Sequence, residues 1–287
     1  MNDTYFENAA VQTANFSADV YFDYFNERMR IDDFRGDPSA LWNYIEEKTN
    51  EHAFAKVILK CRNEYVSFFL QHGFVPEAYF KGYYNGSDCQ FLSRFFTNER
   101  RNSCHWAAED ATVSQILQKE QNDTVPPLAE GITIRLAVEK DASSLAALYG
   151  TVFKVYPTPM NDPAYIIKVM KEGTVFYCAE KEGEIVSAAS AEILVKYHNA
   201  ELTDCATLED YRKYGLMKIL IAHLEEELVS RSIYCAYSLA RALSFGMNAV
   251  FHQRGYTYGG RLANNCIIFE DYEDMNLWVK DLSNIKR

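Results

Sequence analysis

The sequence predicts an α/β fold with a mixed sheet, in two regions, and three observations predict it. From Ile132 onward, strand-like and helix-like patterns alternate along the chain. A polar stretch containing Pro126-Pro127, Lys119–Gly131, separates this part from an earlier patterned region. With 287 residues, the chain has the length of about two domains. The expected division is 1–125 for an N-terminal α/β domain and 131–287 for a second domain.

The elements of the second region follow from local chemistry. ITIRLA, Ile132–Ala137, reads as a short strand. Lys140–Phe153 carries Leu145, Leu148 and Val152 at helical spacing, and Pro157 and Pro159 end it. Asp162-Pro163 is an N-cap followed by proline at the first helical position, so a helix runs to about Lys171. TVFYCAEKEGEIVSAASAEIL is a hairpin turning at Glu182-Gly183. AELTDCAT, Ala200–Thr207, is a strand, and a helix follows it from about Arg212. Ser232–Ala240 is a buried strand. Ser244–Arg254 is a helix closed by Gly255. Two further strands end the chain.

The first region repeats part of this order. Phe54–Cys61 reads as a strand, Asn63–His72 as a helix capped by Gly73, and Phe74–Phe80 with Cys89–Phe96 as a hairpin around Asn85-Gly86. FLQHGF (Phe69–Phe74) and FHQRGY (Phe251–Tyr256) both end a helix, pass through glycine and enter a strand. A degenerate internal half-copy accounts for this, as do two independent corners; the matching flanks favour the copy. The first copy has no counterpart of YRKYGLM.

Composition narrows the function. A net charge of −11 disfavours nucleic acid, because phosphate binding needs a basic face. The seven cysteines form no CxxC pair and no cluster at zinc spacing, so reduced thiols and no metal are expected. MNDTYFENAA lacks the basic and apolar parts of a signal peptide, and no apolar run reaches the ~18–20 residues that span a bilayer. A cytoplasmic protein without a membrane partner is expected. The oligomeric state stays open, with a homodimer among the options.

The most informative stretch is YRKYGLMKIL, Tyr211–Leu220. Leu216, Ile219, Leu220, Leu224 and Leu228 form an apolar helical face. Yet the run opens with Arg212, Lys213 and Gly215, where cations oppose the helix dipole and glycine is costly. A bound phosphorylated cofactor resolves the contradiction. Backbone amides at a strand-to-helix junction attract an anion, glycine lets it approach, and the cations then face opposite charge. Neither a P-loop nor a dinucleotide fingerprint is present.

Arg212-Lys213-Tyr214-Gly215-Leu216-Met217 resembles the coenzyme A pyrophosphate loop of the GNAT N-acetyltransferases, with Met217 where that family usually has Gly or Ala. The resemblance covers Gly131 to the C-terminus. AELTDCATLEDYRKYGL, LARALSFGMNAVFHQRGYTYGGRLANNC and EDMNLW resemble the bacterial and archaeal β-lysine N-acetyltransferases. It implies a mixed, mostly antiparallel sheet flanked by helices, preceded by a smaller α/β domain. It further implies acetyl-CoA as cosubstrate, direct acetyl transfer to the ε-amine of β-lysine, and a compatible-solute product. The alternatives left open are another small amine (a polyamine, a diamino acid, an aminoglycoside) and a non-catalytic acyl-CoA-binding module.

Acetyl transfer needs a deprotonated amine, and an alkyl ammonium has a pKa of ~10.4. Glu201 and Asp204 are the candidate bases. The resemblance favours Glu201, which stands where several family members carry their general base, with Asp204 the alternative as base or as partner of a substrate ammonium. Each is equally well read as a structural carboxylate. Strand alternation predicts Glu201, Thr203 and Cys205 on one face and Leu202, Asp204 and Ala206 on the other. The resemblance implies that a backbone amide near Cys205, Ala206 and Thr207 polarises the thioester carbonyl, and that Asn248 contacts the cofactor. It also places Phe251 where many members carry a tyrosine acid; Tyr211, Tyr214 and His252 are substitutes more readily read as structural. Cys205 has no histidine near it in sequence and reads as a core thiol rather than a nucleophile. Arg241, in the turn after Ser232–Ala240, is the candidate for the substrate carboxylate, with Asp204 for its second ammonium.

Overall fold

The computed structural model describes residues 5–283. Met1–Thr4, the start of the MNDTYFENAA stretch, and the last four residues of the chain lie outside them. The chain forms two compact units. Unit 1 is Met1–Trp106 with Gly259–Cys266 and Tyr272–Met275; unit 2 is Ala107–Tyr258 with Ile267–Asp271 and Asn276–Arg287.

Unit 1 begins with a meander that the sequence patterns left unassigned: β1 (Phe6–Gln12), β2 (Phe16–Asp23) and β3 (Arg28–Gly36). Helix α1 (Pro38–His52), β4 (Lys56–Arg62), α2 (Val66–Gln71), the hairpin β5 (Val75–Tyr84) and β6 (Ser87–Phe95), and the short α3 (Asn98–Arg101) follow. Asn85 and Gly86, with φ of +51° and +92°, make the expected hairpin turn. The strand order is β1-β2-β3-β4-β6-β5. Val57, Leu59 and Cys61 of β4 pack with Leu41 and Ile45 of α1 and Phe69 of α2 in one apolar core.

Unit 2 opens with α4 (Trp106–Leu117), also unassigned from sequence, and then β7 (Ile132–Leu136), α5 (Ala142–Val152) and α6 (Pro163–Lys171). The Asp162 side chain accepts from the Ala164 amide at 2.9 Å, the expected cap. The hairpin β8 (Val175–Lys181) and β9 (Glu184–Leu194) leads to β10 (Asn199–Thr207), α7 (Leu216–Ser230), β11 (Cys235–Arg241) and α8 (Phe245–Gln253). The chain ends in β12 (Thr257–Ile268) and β13 (Asp271–Asp281). β7, β8, β9, β10, β11 and β13 lie in sequence across the sheet. Neighbours β7 to β10 pair antiparallel, and β10 pairs parallel with β11. Helix α5 covers one face, packing with Phe176, Cys178 and Ala188, while α7 covers the other, packing with Ala200, Leu202 and Ala236.

The two units share a succession of elements. β3-α1-β4-α2-β5-β6 runs in the same order as β10-α7-β11-α8-β12-β13, with β3 parallel to β4 as β10 is to β11. The glycines closing α2 and α8, Gly73 and Gly255, have φ of +77° and +82°.

Candidate active site

The site grows out of a bulge in β10. Thr203 stands opposite Ser190 of β9, but Ala206 stands opposite Ala188, so β10 carries one extra residue. Asp204 lies in the slip with φ +50°, left-handed backbone that aspartate tolerates better than most residues. The bulge changes which side chains share a face. Before it, Ala200 and Leu202 join the α7 core; after it, Cys205 packs there while Ala206 joins the α5 core. Simple alternation, which set Glu201 and Asp204 on opposite faces, is therefore overturned. Glu201, Thr203 and Asp204 share the α5 face, and the charge of Glu201 bears on Asp204.

Asp204 is 5% exposed. Its Oδ2 accepts from the Ser190 hydroxyl at 2.6 Å, and the Tyr156 hydroxyl is a second donor. Burial outweighs these bonds and lifts the Asp204 pKa to about 6. Tyr156 also bonds Thr203, and burial followed by the charge of Asp204 pushes its own pKa well up, so it stays a donor. Beside this pair the buried Tyr149 hydroxyl has no hydrogen-bond partner.

On its other edge β10 pairs with β11 only from Asn199–Cys235 to Glu201–Tyr237. Past that point the bulged stretch has no ladder to β11, and a cavity of about 400 Å³ opens there. One part of its wall is Val152 and Phe153 from the end of α5, with Phe269; another is Met217 of α7 and Met247 and Val250 of α8. Helices of both sheet faces contribute to it. Cys205 and Thr207 of β10 and Arg241 at the end of β11 also line it. The Arg241 guanidinium lies over the Phe269 ring at 4.6 Å.

The loop before α7 differs from expectation in one respect. The α-helix starts at Leu216, not near Arg212; Glu209–Tyr214 forms 3₁₀ turns. Arg212 and Lys213 therefore precede the first α-helical turn. Gly215 is the N-cap, left-handed at φ +65°, a conformation that glycine adopts without penalty. No side chain caps α7, so the amides of Leu216 and Met217 lack intrahelical partners, while those of Lys218 and Ile219 donate to the Gly215 carbonyl. Gly215, Leu216, Met217 and Lys218 all line the cavity. Arg212 also lines it, its Nε donating to the Thr207 carbonyl at 3.4 Å. Lys213 turns its ammonium over the Tyr214 ring at 5.3 Å.

Asn248 is fully buried, and its amide is spent on the fold. Nδ2 donates to the carbonyls of Arg241 and Ser244, both at 2.8 Å. Oδ1 accepts from Asn276 at 2.9 Å and from the Trp278 indole at 2.8 Å. Phe251 is fully buried and meets Tyr256 edge-on at 5.1 Å, a core aromatic. His252 is held by the Lys119 carbonyl at 2.8 Å. The sequence reading missed Tyr156, Ser190 and Lys218. Only Lys218 left a trace, as a cation interrupting an apolar helical run.

Unit 1 has the matching features, closed. β3 carries an extra residue, Asp32, at its own bulge. Its carboxylate is bound by Lys60 Nζ at 2.8 Å. The Tyr84 hydroxyl bonds the carbonyls of Lys60 at 2.7 Å and Asp32 at 3.3 Å, bridging β3 and β4. The start of α1 has a carboxylate of its own: Asp37 accepts from the Ser39 amide at 2.9 Å, and Pro38 has no amide to offer.

Residues 143–256 match the acetyltransferase (GNAT) family. Over 276 residues the chain is 38% identical to the N-acetyltransferase YodP of Bacillus subtilis, covering 95% of this chain and 99% of that protein. It is 39% identical over 230 residues to a protein of Methanosarcina mazei named beta-lysine N(6)-acetyltransferase, covering 73% of this chain and 85% of the relative. A Methanococcus maripaludis protein of the same name is 33% identical over 255 residues, covering 89% and 93%. With relatives this similar over most of its length, the chain belongs to the GNAT family of acetyltransferases, which transfer an acetyl group to an amine.

Proposed function

We propose that the chain acetylates the ε-amine of β-lysine with acetyl-CoA, giving Nε-acetyl-β-lysine as a compatible solute. The observation that carries the substrate is the identity of 39% and 33% to two proteins named for this reaction. The cavity lining suits the donor and the substrate carboxylate, while Glu201 and Asp204 lie outside that lining, on the same strand as Cys205 and Thr207. At one end, the open amides of α7, with Gly215 and Arg212 beside them, fit the pyrophosphate of the donor. Acetyl-CoA supplies the activated acyl group; its thiolate, with a reference pKa of ~8.5, is a tolerable leaving group without a dedicated acid.

The chain's own groups do the remaining work. To the amides of Cys205–Thr207, beyond the end of the β11 ladder, we assign the polarisation of the acetyl carbonyl. Glu201 and Asp204 take the charge of the incoming ammonium as a carboxylate pair. With a pKa of about 6, Asp204 is ionised at neutral pH and accepts the amine proton. Arg241, over the Phe269 ring, takes the substrate carboxylate and fixes which end of β-lysine reaches the acetyl group. Asn248 has no polar atom left for the cofactor and is assigned to the fold.

The test is product identification by mass spectrometry and NMR after incubation with acetyl-CoA and β-lysine. The proposal requires one acetyl group on the ε-nitrogen. Acetylation of the β-nitrogen, or turnover only with other amines, would reject it.

A further inference from the structure

The segment Lys119–Pro127 forms no regular secondary structure, yet it is pinned along the starts and flanks of α7 and α8. The Lys119 carbonyl meets His252 Nε2 at 2.8 Å. The Asn122 carbonyl accepts from Lys218 Nζ. The Asp123 carbonyl accepts from Arg254 Nη1 at 2.8 Å, and its carboxylate pairs with the same guanidinium. At the far end, Pro126 Cγ would stand 3.2 Å from a Cβ placed on Gly215. This strap therefore reaches the N-cap residue of α7.

Lys218 shows what the strap is for. It is only 8% exposed and lines the cavity in the first turn of α7. A buried ammonium ordinarily has a carboxylate. Lys218 has a neutral carbonyl, because the carboxylate of Asp123 goes to Arg254. An ammonium has three donors, and the carbonyl uses one. Among the described residues Lys218 makes no salt bridge of its own, the Asp123 carboxylate acting on it only from its pairing with Arg254, and it lines the same cavity as Gly215, Leu216 and Met217 at the helix start.

We propose that the Lys119–Pro127 strap is a built part of the phosphate subsite for acetyl-CoA: it holds the Lys218 ammonium beside the amides of α7, and the two together bind a phosphate of the donor. This rests on acetyl-CoA being the donor. The strap supplies a carbonyl tether for Lys218 and a wall at Gly215, and it has no counterpart at the self-capped start of α1.

Calorimetric titration of the full chain with CoA and with pantetheine, which lacks the phosphates, tests it. Lys218→Met should weaken CoA about ten- to a hundredfold, the scale of a charge-assisted hydrogen bond, and leave pantetheine unchanged. The double change Pro126→Gly and Pro127→Gly, which loosens the strap without touching a charge, should weaken CoA several-fold. Amides of residues 119–125 should exchange more slowly with CoA bound. Unchanged CoA affinity in Lys218→Met, an equal loss for CoA and pantetheine, or strap amides indifferent to CoA would each overturn the proposal. A wild-type chain that binds no CoA would instead sink the donor reading on which it stands.

Discussion

Ser190 and Asp204 face each other across the β9–β10 bulge, joined by a 2.6 Å hydrogen bond from the serine hydroxyl to Oδ2. The bond is not enough to offset burial, so folding raises the Asp204 pKa from 3.8 to about 6. Below pH ~4 the group is protonated in both folded and unfolded chains and costs nothing. Between pH ~4 and ~6 the unfolded chain loses the proton first, so this group's contribution to stability falls as pH rises. Above ~6 the cost is constant, about 3 kcal/mol. Asp204→Asn should therefore be more stable than the parent at pH 7, converge with it near pH 4, and lose at least a hundredfold in kcat/KM. Denaturant titrations at both pH values, with rate measurements, check it. A destabilised Asp204→Asn at pH 7 would show that the carboxylate is structural.

Tyr156 donates to the same carboxylate, which holds the Asp204 pKa down against burial. Tyr156→Phe should move the acid limb of the pH profile of kcat/KM to higher pH and lower the rate at pH 6 more than at pH 8. A uniform loss across pH would assign Tyr156 to packing alone.

Much of this was legible in the sequence, and the failures have physical causes. Asp162-Pro163, Asn85-Gly86 and Gly255 announce their own turns and caps, because each fixes a local backbone conformation. The YRKYGLM loop was legible because its cations and glycine contradict an ordinary helix start. The faces of β10 were not. A bulge depends on the neighbouring strand's register, and nothing in AELTDCAT marks Asp204 as the residue that slips. Tyr156 and Ser190 reach Asp204 from 48 and 14 positions away in sequence, so only the fold brings them together. The helix start was placed too early for a similar reason. Glu209–Tyr214 is helical in spacing but 3₁₀ in geometry, and the left-handed Gly215 resets the chain.

Gly215 is left-handed and close to Pro126, so a β-branched side chain there meets two obstacles. Gly215→Val should cost about 1–2 kcal/mol of stability and weaken CoA at least tenfold. Gly215→Asn, which tolerates this backbone better, should recover most of the stability but less of the affinity. Thermal melts and calorimetry separate the two effects. If Val and Asn bind CoA as glycine does, the loop is not the phosphate site.

Unit 1 should bind no CoA. Asp37 caps α1, and Tyr84 and Lys60 fill the gap beside Asp32. Titration should give one CoA per chain, and Asp37→Ala should leave that number at one while lowering stability by about 1 kcal/mol. A stoichiometry of two would place a second site in unit 1.

The most direct measurement is the ratio of kcat/KM for β-lysine to that for the diamine lacking its carboxylate, taken in the parent and in Arg241→Gln. If Arg241 on its Phe269 platform binds the substrate carboxylate, the parent should favour β-lysine. The variant should lose about ten- to a hundredfold on β-lysine and little on the diamine. A parent that uses both amines equally, or a variant that loses equally on both, contradicts the account of a β-lysine acetyltransferase.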